Sequence, residues 1–120
     1  MIWIVIEHED TRSKVASLIR GKSYAAAEMD CGDEVVKRLQ FQLPVLIILD
    51  CGVAGIFDML LTIRTIPRAA SVPVVMFSRD DQNLQDKCLM AGANAYVPKG
   101  SLDWAELLEE VVRFAGAPGQ

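Results

Sequence analysis

Glu7, Asp50, Ser78 and Lys99 each stand directly behind a short, largely apolar run: "MIWIVI", "VLIIL", "VPVVMF" and "AYVP". If those runs are neighbouring strands, the four polar groups meet at one rim of a sheet. An aspartate can attack a phosphoryl group to form an acyl phosphate, but the two anions repel, so a divalent cation must screen the incoming oxygens. Mg²⁺ ordinarily takes one or two carboxylates, waters and a substrate phosphate. Glu7, Asp50 and the backbone carbonyl of Gly52 are candidates for that shell. Lys99 can neutralise another phosphate oxygen, and the Ser78 hydroxyl can hydrogen-bond a third.

Plainer roles compete with each of these. Asp50 can cap the turn that follows it, Glu7 can be an ordinary rim acid favoured beside a helix N-terminus, and Lys99 can be a surface lysine. Ser78 alone says little. His8 lacks Cys or His at ligand spacing and reads as a loop residue. Cys51, although next to Asp50, reads as a small apolar filler more readily than as a redox sensor.

The elements that must position these residues follow from hydrophobic period. Strands are expected at Ile2–Ile6, Tyr24–Glu28, Val45–Leu49, Val74–Phe77 and Asn94–Val97. Between them lie helical faces: Thr11, Val15, Leu18 and Ile19, then Val35, Val36 and Leu39 behind Gly32 and Asp33. Ile56, Met59, Leu60, Ile63 and Ile66 mark a third helix that Pro67 ends. Leu84, Cys88 and Ala91 mark a fourth, closed by Gly92. Trp104, Leu107, Leu108, Val111 and Val112 line the last. Strands alternating with helices imply right-handed crossovers and a parallel α/β sheet covered on both faces. Ligands of such sheets bind beyond the carboxyl ends of the strands, where strand order reverses. That is the rim carrying the four polar residues.

Composition agrees with one cored domain: 120 residues, 52% hydrophobic and 23% charged, are too few for two. Residues 1–115 form the expected domain and residues 116–120, "GAPGQ", a tail or linker stub. A net charge of -4 argues against direct nucleic-acid binding, which needs a surplus of Lys and Arg. Cys31, Cys51 and Cys88 form no C-x-x-C pair and read as reduced thiols. "MIWIVI" has no basic n-region and runs into "EHED", so it is a strand and not a signal peptide. No stretch approaches the roughly twenty apolar residues of a membrane span. The expectation is a cytoplasmic protein without membrane contact.

Asp50 closing "VLIILD", Ser78 in "VPVVMFS", and "AGANAYVPKG" with its Gly-Ala-x-x-Tyr-x-x-Lys ending are together similar to the receiver domains of two-component response regulators. The resemblance runs from Ile2 to about Ala115. It implies a doubly wound, flavodoxin-like (β/α)5 fold with strand order 2-1-3-4-5. It implies Asp50 as phosphoacceptor, Lys99 as phosphate partner, Ser78 with Tyr96 as a switch pair, and Mg²⁺ as cofactor. The partners implied are a histidine kinase or phosphotransfer protein and an effector domain or protein. Effector or homodimer contacts would use the face of helix four, strand five and helix five, within Asp81–Ala91 and Leu102–Ala115. No enzyme activity on an independent substrate is implied.

The departures are specific. Receivers end the first strand with two adjacent acids, whereas alignment through Arg12, Val15 and Ile19 puts Ile6 and Glu7 there. Sliding by one residue offers Glu7 and His8, but the helix hydrophobics then fall out of step. Ala54 and Asp58 stand where the family favours Pro and Gly, and Gly100 stands where Pro follows the lysine. A cis bond before a non-proline residue costs roughly 2.5–4 kcal/mol, so trans is expected there. Weak metal binding follows from the lost acid. Other classes fit worse. A haloacid-dehalogenase-type phosphatase needs a second acid where Gly52 stands, and a flavodoxin-like flavin carrier needs a phosphate cradle where "EHED" would repel one. The serious alternative is a pseudo-receiver, a protein-interaction module that is not phosphorylated.

Overall fold

The computed structural model describes residues 1–30, 32–50, 52, 55–100 and 104–118. Cys31, Cys51, Ala54 and Leu102, which entered the sequence reading, lie outside the described residues. The strands are β1 (Ile2–Val5), β2 (Ala26–Met29), β3 (Leu46–Leu49), β4 (Val74–Ser78) and β5 (Ala95–Pro98). They alternate with α1 (Glu9–Gly21), α2 (Gly32–Arg38), α3 (Ile56–Thr65), α4 (Gln82–Met90) and α5 (Ala105–Ala115). All strand pairs are parallel, in the order β2-β1-β3-β4-β5. The alternation is that expected from hydrophobic period, and the doubly wound order is that implied by the resemblance to receiver domains.

Burial on both faces explains why the strands read as continuous apolar runs. Trp3, Val5, Ile47, Leu49, Val74 and Met76 face one core with Val35, Leu60, Ile63 and Cys88 from α2, α3 and α4. Ile2, Ile4, Leu46, Ile48, Val75 and Phe77 face the other with Val15 and Ile19 of α1 and Leu107 and Val111 of α5. Each side chain changes face at every step, as a pleated strand requires.

Strand ends moved by one or two residues from the expected bounds. Ile6 leaves the β1 ladder, although its amide still donates to the Met29 carbonyl at 3.1 Å. β2 starts at Ala26 because Tyr24 belongs to a turn in which Ser23 adopts φ 71°. One inward assignment on α5 was wrong: Val112 is 57% exposed. Leu107 and Val111 already fill the stripe facing the sheet, and the residue after Val111 is turned out by the helical period.

Candidate functional site

Parallel register brings the strand ends level. Val5 pairs with Leu49, and Leu49 with Met76, so the residues just beyond β1 and β3 and the last residue of β4 lie along one rim. The Asp50 amide donates to the Val5 carbonyl at 3.2 Å, and the Lys99 amide to the Ser78 carbonyl at 2.7 Å. Backbone pairing thus places Asp50, Ser78 and Lys99 before any side chain interacts.

The three side chains meet. Asp50 is 8% exposed and Ser78 4%. The Ser78 hydroxyl donates to Asp50 Oδ1 at 3.1 Å, and the Gly52 amide donates to the same oxygen at 3.0 Å. Lys99 Nζ forms an ion pair with Asp50 Oδ2. The turn-capping role and the chemical role are therefore compatible: one carboxylate oxygen holds the turn to Gly52 while the other faces the ammonium. A buried carboxylate needs such partners, because an uncompensated charge there costs several kcal/mol.

The first strand contributes differently. Ile6 is fully buried in the core against α1 and α5, and Glu7 is exposed. The last residue before Glu7 is therefore part of the hydrophobic core and offers no ligand. Among the described residues no group of three His, Cys, Asp or Glu converges. The donors on offer, the carboxylates of Asp50 and Glu7 and the carbonyl of Gly52, are all hard oxygens. By donor chemistry alone such a set would suit a hard cation completed by water.

Tyr96 is half-buried and packs against the core of the α2, α3 and α4 side. Its hydroxyl donates to the carbonyl of Arg79, the residue after Ser78, at 2.5 Å. It is thus both a packing residue and a tie to the loop leaving β4. The Lys99–Gly100 peptide is trans, as expected.

Two neighbours escaped the sequence reading as site residues. Arg12, used there only as an alignment anchor, donates from Nη1 to the carbonyls of Ile6 at 2.9 Å and Glu7 at 3.2 Å, pinning the exit of β1. Phe77 lies beneath Lys99, whose Nζ is 5.7 Å from the ring centroid. Strand parity held the signal for the second: Phe77, Val97 and Lys99 fall on one face once the β4 and β5 register is known.

Comparisons with known proteins agree over most of the chain. A family model described as "Response regulator receiver domain" matches residues 2–112. Among solved structures, the receiver domain of a Pseudomonas aeruginosa sensor histidine kinase, which has a magnesium ion coordinated in its active site cleft, superposes with a TM-score of 0.85 at 23% identity, covering 97% of each chain. The chemotaxis response regulator CheY4 of Vibrio cholerae gives a TM-score of 0.84 at 17% identity, covering 94% of this chain and 96% of its own. The response regulator TrrA of Thermotoga maritima, solved in complex with Mg²⁺ and BeF, gives 0.81 at 23% identity with coverage of 94% and 96%. A search of curated proteins found no match. With a family model spanning residues 2–112, this protein belongs to the response regulator receiver domains of two-component signalling.

Proposed function

We propose that this receiver takes a phosphoryl group onto Asp50 from the phosphohistidine of a histidine kinase or phosphotransfer protein. The observation that supports it is the convergence of Ser78 and Lys99, from two other strands, on the nearly buried Asp50 carboxylate. In the transfer, an Asp50 carboxylate oxygen forms the new P–O bond while the P–N bond breaks and the imidazole keeps the electron pair. The Ser78 hydroxyl and the Lys99 ammonium pass from carboxylate oxygens to phosphoryl oxygens, so the groups that balance the resting charge also balance the product. Asp50, Glu7 and the Gly52 carbonyl are the residues that would hold a Mg²⁺, which would supply charge screening between acceptor and donor. Magnesium in the Pseudomonas and Thermotoga relatives supports that assignment.

The chain acts as a signalling module and not as an enzyme with its own substrate. Ser78 and Tyr96 are the switch pair, coupled through the Arg79 carbonyl to the loop before α4. Output runs through the face of α4, β5 and α5, by contact with an effector domain, a protein partner or a second copy. Buried Ile6 favours the second reading, a pseudo-receiver with the fold and no transfer. Beryllofluoride with Mg²⁺ separates the two. The phosphoacceptor reading expects amide shift changes at Asp50, Ser78 and Lys99 that Asp50→Ala removes. A spectrum unmoved by beryllofluoride at millimolar Mg²⁺ supports the pseudo-receiver.

A further inference from the structure

Lys99 is held from two sides. Asp50 takes its ammonium from one, and the face of Phe77 lies 5.7 Å from Nζ on the other, within the roughly 6 Å over which a ring quadrupole attracts a cation. Phe77 is fully buried, so its ring cannot be displaced without disturbing the core. Trp104 packs on the same ring edge to face, with centroids 5.1 Å apart and planes at 75°. Trp104 is also the N-cap of α5, in left-handed backbone conformation at φ 52°. A bulky residue in that region is strained and stays there only while its surroundings hold it. The indole is half-buried and walls a groove of about 720 Å³ against Lys14, Leu18 and Lys22 of α1 and its C-cap.

We propose that Phe77 is a positioning residue for Lys99 and that the Lys99–Phe77–Trp104 stack carries the charge state of Asp50 to the head of α5 and the groove beside α1. When Lys99 turns from the carboxylate to a phosphoryl oxygen, its place over the ring changes. The indole packed on that ring must respond, because the contact is part of a close-packed core. This route leaves the site on the α1 and α5 side of the sheet, whereas Ser78 and Tyr96 leave it toward α4. The inference rests on the phosphoacceptor reading of Asp50 for its trigger, but the stack itself can be tested without phosphate.

The test follows the indole N–H resonance of Trp104, assigned by its loss in Trp104→Phe, in the full chain. Asp50→Asn, which removes the carboxylate charge facing Lys99, is expected to move that resonance. The same substitution in Phe77→Leu or Phe77→Met, which keep apolar volume without a ring face, is expected to move it at least about three-fold less. Lys99→Met alone is expected to move it with Phe77 intact, so the proposal stays testable if the Phe77 variants do not fold. With acetyl phosphate and Mg²⁺, Phe77→Leu is expected to label Asp50 roughly three-fold to ten-fold more slowly, matching the loss of a partly desolvated cation–π contact. A Trp104 resonance indifferent to Lys99→Met, or a response to Asp50→Asn that persists in the ring-less variants, overturns the proposal. Wild-type protein that takes no label contradicts the phosphoacceptor reading instead, and the indole comparison then decides the stack by itself.

Discussion

Asp50 is the residue on which the account turns, and its surroundings make definite demands on substitution. Lys99→Ala leaves a nearly buried carboxylate without its counter-charge and is expected to slow acetyl phosphate labelling by about ten-fold to a hundred-fold, the loss of one charged hydrogen bond. Ser78→Ala removes one neutral donor, and the Gly52 amide still holds the same oxygen, so a smaller loss is expected. Ile6→Asp should tighten Mg²⁺ in calorimetry. Because Ile6 is fully buried, the variant should also lose about 2–4 kcal/mol in denaturant unfolding without metal and recover part of it with metal. Unchanged or weaker Mg²⁺ affinity would contradict the alignment of the first strand. Asp50, Ser78 and Lys99 were legible because each ends an apolar run, a pattern local to the sequence. Ile6 was singled out through the resemblance to receivers, but its place in the core was not legible, and the Phe77 contact depends on a strand register that no local pattern encodes.

At the scale of elements, the α3 to β5 half is fastened by one arginine. Arg64 donates to the carbonyls of Gly92, Ala70 and Val72 and to Asn94 Oδ1, and that oxygen also accepts from the Val74 amide. Burial lowers the guanidinium pKa. Arg64→Ala is therefore expected to cost about 2–3 kcal/mol in denaturant unfolding, more than a surface arginine. Gly92 closes α4 at φ 115°, and a Cβ there would lie 2.9 Å from Arg64 Cγ, so Gly92→Ala should destabilise through both strain and crowding. Gly92 was readable as a helix terminator; the arginine that crosses to it from α3 was not, since the two are joined only by the fold. The start of α4 is capped by a carboxylate, Asp81 Oδ1 accepting from the Leu84 amide at 3.1 Å. The Leu84 amide, aided by the charge of Arg79 and opposed by desolvation, holds the Asp81 carboxyl below its ordinary pKa. A depressed folded pKa stabilises the protein above the unfolded aspartate value of about 3.9 and loses that contribution as pH falls through the folded value. The gap in melting temperature between wild type and Asp81→Ala should accordingly narrow from neutral pH to well below the carboxylate range. A gap that stays constant would contradict the charged cap.

For the whole molecule, the doubly wound sheet brings Asp50, Ser78 and Lys99 to one rim. Activation must favour one arrangement of the output face over another, since a ligand shifts an equilibrium only by its differential affinity. Amide exchange is expected to change in α4 and β5 on activation, through Ser78, Arg79 and Tyr96, and unchanged exchange there would remove the switch assignment while leaving Asp50 chemistry intact. Strand count and alternation could be read from hydrophobic period because burial on both faces of the sheet writes whole strands as apolar runs, whereas the sheet order came only with the resemblance to receiver domains. Exact strand ends could not, since they are set by turns such as that at Ser23, and neither could the outward turn of Val112. The central claim is that Asp50 accepts phosphate despite an isoleucine in place of an acid. Intact-mass measurement after incubation with acetyl phosphate and millimolar Mg²⁺ tests it most directly: one added phosphoryl group is predicted in wild type and none in Asp50→Ala. An unmodified wild type beside a modified Ile6→Asp variant would contradict the claim and identify a pseudo-receiver made by that one lost acid.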